Sequence, residues 1–404
     1  MAIGKATDAL ARISARFPNR ATRQVGSKVG ALSGVVFQTS GANLSFTHRV
    51  QHIAPPGGIM FPRVTYANWY MERRTSDSEQ LGANPVTITA CAIEYPIGTV
   101  NAATFAGVAN VALAPGAEAT TDPVMIVIPA GAVYAERVCT TVSAAGMSWP
   151  TGRLIYQATS KNEGLASGNT VSNAAQVFTT FSTQAFVFSA ISILGSPISI
   201  PAPSVAVLGD SIADRTGDTA ADPEGNAGYI ERLLGQKYAW VKSTCPGDRV
   251  SIWLANHALR TVSYQAACDV MICEYGRNDV SAGSSLAVIQ SQLLALWEYH
   301  LSRGMRVYQT TITPYTTSTD AYATVANQTF QSAPQETVRV ALNTWLRTIP
   351  APLSGVIDAA LVAESGINSG KWAVLPSGVA TTTDGLHPNP VGAANISAGL
   401  AVPF

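Results

Sequence analysis

The sequence predicts an all-β sandwich in its front half and an α/β domain with a parallel sheet in its back half. In the front half, short β-branched runs such as residues 86–95 and 124–138 alternate with turn residues, a pattern typical of sandwich strands. After residue 204, continuous apolar runs alternate with stretches of helical periodicity, which indicates parallel strands covered by helices on both faces. Three prolines within residues 196–204 disfavour helix between the two patterns and indicate an extended linker.

Three regions follow from this change of pattern along the chain. We expect an N-terminal extension over residues 1–40 that is partly helical or flexible, a β-sandwich accessory domain over residues 41–199, and an α/β domain over residues 200–404. A chain of 404 residues also exceeds what one hydrophobic core usually organises, which favours more than one domain.

Composition and charge argue against several classes of partner. The chain is 47% hydrophobic and 12% charged, and its 25 basic residues balance its 25 acidic residues, so no net field favours nucleic acid. No apolar run is long enough to span a membrane, and residues 1–20 lack the apolar core of a secretory signal. We therefore expect a soluble protein of unknown compartment, either cytoplasmic or secreted after removal of a leader.

Strands and helices alternate in the predicted α/β half. The predicted strands cover residues 204–211, 240–243, 269–276 and 306–314, and the predicted helices lie within residues 229–234, 285–304 and 336–349. The carboxyl ends of parallel strands meet at one edge of the sheet, where ligands bind in such folds. Reactive side chains are therefore expected just after these strands.

A serine and a histidine–aspartate pair stand at two such places. Ser211 follows the first strand in a Gly-Asp-Ser turn, and Asp384 and His387 share one short loop near the C-terminus. A serine hydroxyl needs an imidazole to take its proton and a carboxylate to orient that imidazole. Taken alone, each segment is more typical of an ordinary surface turn.

Two further loops could hold donors for a tetrahedral oxyanion. Asn278 follows the third strand and offers a side-chain N–H, and Gly247 follows the second strand and offers a backbone N–H. Donors aimed at the developing charge lower the barrier of acyl transfer by about 2.7–4 kcal/mol each. The alternatives are a helix cap for Asn278 and a plain turn glycine for Gly247.

Taken together, these segments resemble the four sequence blocks of the SGNH (GDSL-like) hydrolases, over about residues 204–400. The resemblance implies a flavodoxin-like three-layer fold and a serine esterase that needs neither a metal ion nor an organic cofactor. Ser211 would be the nucleophile, His387 the general base and then acid, and Asp384 the residue that orients the imidazole.

The resemblance also implies an oxyanion hole. It would consist of the backbone N–H groups of Ser211 and Gly247 together with the side chain of Asn278. Cys245-Pro246 stands where the family often has an Asn-x-Gly entry, so the second block is the poorest match.

The front half is more loosely similar to the β-rich front domain of some GDSL-like lipases, which implies a jelly-roll-like sandwich. Its aromatic residues could form an exposed platform for sugar rings, or they could pack in the core as large aromatics usually do. These residues are Trp69, Tyr70, Tyr95, Tyr134 and Trp149.

Other candidate sites are weaker. His48 and His52 are four residues apart, as metal ligands on a helix can be, but their segment alternates like a strand, so we expect solvated histidines. The five cysteines lack zinc-site spacing and are expected to be buried thiols. Asp358 is a second candidate for the triad acid, and the long polar loop of residues 316–335 could line the pocket.

The sequence thus predicts serine-dependent hydrolysis of carboxylic esters through an acyl-enzyme. The favoured substrates are short acyl groups, above all acetyl, on a small ester or an acylated carbohydrate. A short-chain aliphatic or aryl carboxylesterase is the alternative. A glycan-binding or structural module with a quiet hydrolase domain is the alternative of another class. The front half could also mediate homo-oligomer formation.

Overall fold

The fold has a strand-rich front half and an α/β back half, as the sequence predicts. The computed structural model describes residues 23–26, 29–32, 37–38, 43–72, 79–153, 162–179, 186–199, 202–235 and 237–404. The front strands are β1 Arg23–Gln24, β2 Val29–Gly30, β3 Phe37–Gln38, β4 Ser45–Ile53, β5 Ile59–Ala67, β6 Trp69–Met71, β7 Glu79–Leu81, β8 Val86–Glu94, β9 Val100–Ala103, β10 Val111–Leu113, β11 Glu118–Thr120, β12 Val127–Ile128, β13 Val133–Thr141, β14 Ser148–Trp149, β15 Gly152–Arg153, β16 Gly164–Ser167, β17 Phe186–Val187 and β18 Ser192–Ser196.

Two antiparallel sheets make up most of the front half. One has the order β1-β18-β5-β11, with β12 also paired to β5, and the other has the order β10-β8-β13-β4-β16, with β9 also paired to β8. Both sheets contribute side chains to one hydrophobic cluster, among them Val64 and Ile193 from the first sheet and Ile88 from the second. Antiparallel strands with a shared apolar interior are the arrangement that the short β-branched runs predict.

The back half alternates strands and helices around a parallel sheet. Its elements are β19 Val205–Gly209, α1 Tyr229–Leu234, β20 Trp240–Thr244, α2 Val250–Ala255, β21 Val270–Cys273, α3 Arg277–Ser281, α4 Leu286–Leu301, β22 Arg306–Thr310, β23 Thr316–Ser318, β24 Gln328–Phe330, α5 Ala333–Leu346, β25 Gly355–Ile357, α6 Ala359–Ala363, β26 Val374–Leu375, a 3-10 turn Pro376–Gly378, β27 Val379–Ala380 and α7 Pro390–Ala398. The predicted strands and helices of this half are therefore confirmed.

Strand order places a crevice beside β19. The parallel sheet has the order β2-β20-β19-β21-β22-β25, so the strands from β19 onward follow the flavodoxin-like order 2-1-3-4-5. In such a sheet the chain winds in opposite directions on the two sides of the first strand, and a crevice opens at the carboxyl ends there. The loops after β19, β20 and β21 all meet at this point.

The parallel sheet is the middle of three layers. Val205 and Val207 of β19 belong to a hydrophobic cluster with α1 and α7, whereas Ala206 and Leu208 belong to the cluster that contains α4. Successive side chains of a strand point to opposite faces, so a strand that is apolar at every position is covered on both sides.

The N-terminal segment contributes a strand to each half. β1 pairs antiparallel with β18 of the sandwich, and β2 pairs parallel with β20 at the edge of the parallel sheet. The main hydrophobic cluster is likewise continuous from sandwich residues such as Trp149 to Trp253 and Leu293 of the α/β half. The described parts of residues 1–40 contain the strands β1, β2 and β3, while residues 1–22, 27–28, 33–36 and 39–40 of the expected extension lie outside the described residues. The domain boundary near residue 200 remains our proposal.

The histidine pair of the front half is buried rather than solvated. His48 and His52 lie on β4, as the alternating pattern predicts, but β4 lies between β13 and β16 in its sheet and both side chains are inside. The ring of His48 hydrogen-bonds Thr140 at 2.9 Å, and burial lowers the pKa of His48 to about 3. The prediction of solvated histidines is therefore wrong.

Most of the candidate aromatic platform is also inside the protein. Trp69, Tyr134 and Trp149 are fully buried, and Tyr70 and Tyr95 are half-buried. The first three pack in the core and cannot stack against an external sugar. All five cysteines are buried, as expected. Of the helices described, none combines the length and the apolarity that a bilayer-spanning helix requires.

Glu136 is a carboxylic acid enclosed by the sandwich. Its side chain lies on β13 and is 1% exposed, and the backbone N–H of Ala190 donates to its two oxygens at 3.0 and 3.3 Å. Burial nevertheless raises the pKa of Glu136 to about 8. The folded chain therefore holds a proton on Glu136 at a pH where the unfolded chain has released it.

This proton makes the stability of the fold dependent on pH. Between the ordinary pKa of 4.5 and the raised value of about 8, the unfolded state binds fewer protons than the folded state, so this contribution to the free energy of unfolding falls as pH rises. We expect Glu136→Gln to lose less stability than the wild type between pH 5 and pH 8 in urea unfolding. Glu298→Gln, at an exposed position of α4, is the matched control. Parallel pH profiles for the wild type and Glu136→Gln would contradict the prediction.

Candidate active site

Ser211 lies in the turn directly after β19, at the crevice. The turn is held by Asp210, whose carboxylate accepts the backbone N–H of Ile212 at 2.9 Å, and by the N–H of Thr216, which donates to the carbonyl of Ser211 at 2.8 Å. Asp at this place in a turn commonly bonds the backbone two residues on. The serine side chain is half-buried and faces a cleft.

The structure brings Ser211, His387 and Asp384 together. The Oγ of Ser211 and the Nε2 of His387 are 2.8 Å apart, and the Nδ1 of the same ring is 2.6 Å from the Oδ2 of Asp384. The imidazole is 13% exposed and the carboxylate 51% exposed. A hydroxyl, an imidazole and a carboxylate joined in this order can deprotonate the hydroxyl as it attacks a carbonyl carbon.

Asp384 is held as a carboxylate by its own loop. Its Oδ1 accepts the backbone N–H groups of Leu386 at 2.9 Å and His387 at 2.8 Å. Partial burial alone would raise the pKa of Asp384, but the hydrogen bonds from the His387 ring and from these two N–H groups outweigh it and lower the pKa to about 2. The carboxylate therefore stays ionised at any pH at which an imidazole can act as a base.

The loop that carries Asp384 and His387 is hydrogen-bonded to a neighbouring hairpin and to a buried tryptophan. The carbonyl of Gly385 accepts the indole N–H of Trp372 at 2.8 Å and the backbone N–H of Thr316 at 2.9 Å. Gly385 has φ +75°, and a Cβ there would lie 1.9 Å from the carbonyl oxygen of Thr316, so the loop requires glycine. The loop of residues 316–335 forms the hairpin β23–β24 beneath the histidine loop, and none of its residues lines the cleft. Its predicted role as a pocket wall is therefore wrong.

The three proposed oxyanion donors share this cleft. Ser211, Gly247 and Asn278 all line it, and within the described residues neither the backbone N–H of Ser211 nor that of Gly247 has a hydrogen-bond acceptor. Gly247 has φ +87°, which its turn after β20 requires. Two unpaired N–H groups beside a serine hydroxyl can bind a negatively charged oxygen.

Asn278 is more tightly engaged than the sequence suggested. Its side-chain N–H₂ donates to the Oδ2 of Asp210 at 2.9 Å and to the backbone carbonyl of Asp248 at 3.0 Å. Both N–H bonds thus have acceptors, and an oxyanion would share or replace the bond to the carbonyl of Asp248. The helix-cap alternative receives no support, since the cap position of α3 is Gly276, without a side-chain hydrogen bond.

Sequence reasoning missed a carboxylic acid pair behind the nucleophile. The backbone N–H of Asp210 donates to the Oε2 of Glu274 at 3.3 Å, and the carboxyl groups of both residues are buried. Burial raises the pKa of both carboxyl groups, and the charge of Asp210 raises the pKa of Glu274 further. Glu274 stands at the end of an apolar run, and no local pattern distinguishes it from an ordinary strand-end residue.

The cleft itself is small. Its volume is about 220 Å³, and its lining consists of Ser211, Thr216, Pro246, Gly247, Asn278, Leu386 and His387. The hydroxyl of Thr216 is buried and has no hydrogen-bond partner in the described part of the chain. The lining therefore combines polar groups with two small apolar surfaces, Pro246 and Leu386.

Asp358 lies in a different environment. It accepts from the hydroxyl of Thr311 at 2.8 Å, pairs with Arg347 at 2.8 Å, and caps helix α6 through the N–H of Leu361. The Asp358 carboxylate thus has a structural role at the end of β25, as an ion-pair partner and a helix cap. Across the described ranges, no cluster of three or more His, Cys, Asp or Glu side chains has the arrangement of a metal site.

Comparison with known proteins identifies the family. Residues 207–394 match the family model of GDSL-like lipases and acylhydrolases, whereas no curated protein sequence matches the chain significantly. A GDSL-like lipase from Bacteroides thetaiotaomicron is similar in structure at 14% identity, over 48% of this chain and 84% of that one, with a TM-score of 0.34. A catalytic mutant of an acetylxylan esterase from Geobacillus stearothermophilus is similar at 15% identity, over 49% of this chain and 92% of that one, with a TM-score of 0.36.

The matched range includes every residue of the candidate site. These residues are Ser211, Gly247, Asn278, Asp384 and His387. The parallel sheet and its strand order agree with the fold that the sequence resemblance implies. Residues 207–394 of this chain therefore carry a GDSL-like lipase/acylhydrolase domain.

Proposed function

We propose that this protein is a serine esterase that hydrolyses carboxylic esters through an acyl-enzyme on Ser211. The observation that carries the proposal is the hydrogen-bonded line from Ser211 through His387 to Asp384, with distances of 2.8 and 2.6 Å, at the edge of a cleft. Membership of an acylhydrolase family supports the same reaction class.

The geometry supports a two-step reaction. The Oγ of Ser211 attacks the ester carbonyl while the Nε2 of His387 takes its proton, and Asp384 stabilises the imidazolium. The carbonyl oxygen becomes an oxyanion that the N–H groups of Ser211 and Gly247 and the side chain of Asn278 stabilise. The imidazolium then protonates the leaving alcohol, and the acyl group stays on Ser211. A water molecule, deprotonated by His387, then attacks the acyl carbon, the bond to the Oγ of Ser211 breaks as the imidazolium returns a proton to that oxygen, and the acid is released.

We further propose that the acyl group is short, with acetyl the favoured case, and that the alcohol is a carbohydrate. A cleft of about 220 Å³ is smaller than the roughly 300–1,000 Å³ of pockets that enclose drug-sized ligands, so it suits a small acyl group better than a long chain. The cleft lining also carries the polar side chains of Ser211, Asn278 and His387, which suit a polyhydroxylated alcohol better than a long apolar one. Short aliphatic or aryl esters remain the alternative, since Leu386 and Pro246 offer an apolar surface.

A binding module with a quiet hydrolase domain is the alternative of another class. Its main support in the sequence is the set of front-half aromatics, and Trp69, Tyr134 and Trp149 are buried. The assembled hydrogen bonds of Ser211 and His387 also favour an active enzyme.

The nucleophile can be tested directly. We expect Ser211→Ala to lower kcat on p-nitrophenyl acetate by at least about 10³-fold, because no other hydroxyl is bonded to the imidazole of His387 among the described residues. Labelling by a fluorophosphonate probe should disappear in the same variant. Ser302→Ala, at an exposed serine, is the matched control and should keep both. Undiminished hydrolysis by Ser211→Ala would show that the proposed mechanism is wrong.

The two candidate triad acids can be separated by paired variants. Asp384→Asn should reduce kcat by roughly 10³- to 10⁴-fold, because an amide leaves the imidazole in the wrong tautomer. Asp358→Asn should leave kcat near the wild-type value, since Asp358 pairs with Arg347 and caps α6. Thermal melting of both variants separates effects on stability from effects on rate. The reverse pattern of rates would assign the acid to Asp358.

Acyl selectivity tests the size of the cleft. Across p-nitrophenyl acetate, butyrate and octanoate, we expect kcat/KM to fall by at least about tenfold from the first to the last, because the longer chains exceed the cleft. Acetate release from a peracetylated sugar should be measured in parallel, with Ser211→Ala as the blank. A preference for octanoate would contradict the proposed short-acyl specificity.

A further inference from the structure

We propose that Glu79, in the accessory half, is a positioning residue for the oxyanion hole. It acts through Arg260 and Asp248 on residues 245–249, here named the oxyanion loop. The inference rests on the proposed function, because the donors that the loop positions are those assigned to the esterase reaction.

The first step is the contact between the two halves of the chain. Glu79 begins β7, which pairs with β6, and its carboxylate accepts the backbone N–H groups of Leu259 at 3.0 Å and Arg260 at 2.8 Å. The Nε of Arg260 lies 3.3 Å from the same carboxylate. A single front-half carboxylate thus holds both the backbone and the guanidinium of a back-half arginine.

The second step runs from Arg260 to Asp248. The guanidinium is fully buried, and its NH1 lies 2.5 Å from the Oδ2 of Asp248. The hydroxyl of Tyr275 donates to the same oxygen at 2.7 Å and is itself 3.2 Å from NH1. A buried ion pair with a complete set of hydrogen bonds has one preferred geometry, so it can hold a loop in place.

The third step runs from Asp248 to the oxyanion donors. The Oδ1 of Asp248 accepts the N–H of Arg249 at 3.0 Å, and its backbone carbonyl accepts the side chain of Asn278 at 3.0 Å. Gly247 precedes Asp248 directly and lines the cleft. The position of Asp248 therefore sets where two of the three proposed donors point, although neither Glu79 nor Arg260 reaches the cleft.

A second ion pair between the halves provides a matched control. Arg23 of β1 pairs with Asp269. Asp269 precedes β21 and lies at the amino ends of the parallel strands, whereas Asn278 follows β21 at their carboxyl ends. Both pairs are buried and both join the front half to the back half. If both ion pairs only stabilised the fold, loss of either would lower Tm and leave kcat unchanged. A positioning role predicts that only loss of the Glu79 pair lowers kcat.

The experiment uses the full chain and p-nitrophenyl acetate. We expect Glu79→Gln to lower kcat about tenfold with KM little changed, less than the roughly 10²–10³-fold that loss of a whole oxyanion donor costs. Asp269→Asn should lower Tm without lowering kcat. Tyr275→Phe removes a second group that holds Asp248 and should give the same kcat loss, which keeps the test available if Glu79→Gln does not fold.

A double-mutant cycle with Asn278→Ala identifies the route of the effect. The part of the effect that passes through the Asp248 carbonyl to Asn278 should disappear once the side chain of Asn278 is gone, and the loss that persists reports the backbone N–H of Gly247. Unchanged kcat in Glu79→Gln and Tyr275→Phe, or an equal kcat loss in Asp269→Asn, would each overturn the inference, whereas an equal loss with and without Asn278 would assign the whole effect to Gly247. An active wild type with such results retains the proposed function. A wild type without Ser211-dependent hydrolysis removes both.

Discussion

The hydrogen bond between Ser211 and His387 is the interaction on which the rest of the site depends. It joins two loops that lie 176 positions apart, so it forms only when the parallel sheet and the last loop are both in place. β19 ends at Gly209 and presents the serine, while Trp372 and the backbone of Thr316 hold the histidine loop from below. Both loops are short turns, so the strands and helices that carry them must fix the distance between Ser211 and His387.

The side of the cleft that holds the proposed oxyanion donors is organised by buried charges rather than by a turn alone. Asn278 is tied to Asp210 and to the carbonyl of Asp248, and each of these is tied in turn to a buried partner, Glu274 or Arg260. Buried charges are costly unless they are paired, so such a network tolerates few alternative arrangements. A fixed arrangement of donors is what stabilisation of a developing negative charge requires.

The front half is joined to the site more closely than a linker between two modules would suggest. A front strand, β2, completes the edge of the parallel sheet, and the hydrophobic cluster is continuous across both halves. Two of the failed predictions, the solvated histidines and the aromatic platform, belong to this same half: His48, His52 and Trp149 are enclosed, although their alternating pattern allowed exposure. An alternating pattern identifies a strand, but it does not tell whether a second layer covers its polar face.

The sequence by itself determined the alternation of strands and helices, the two halves, and the residues of the candidate site. These follow from local periodicity, from turn chemistry after strands and from the Gly-Asp-Ser and Asp-x-x-His segments that resemble a known family. Only the tertiary structure decided which side chains are enclosed, that residues 316–335 support the histidine loop, and that Glu274 and Glu79 stand behind the site. Burial and ion pairing depend on which distant segments of the chain pack together, and the spacing of residues along the chain does not specify those contacts.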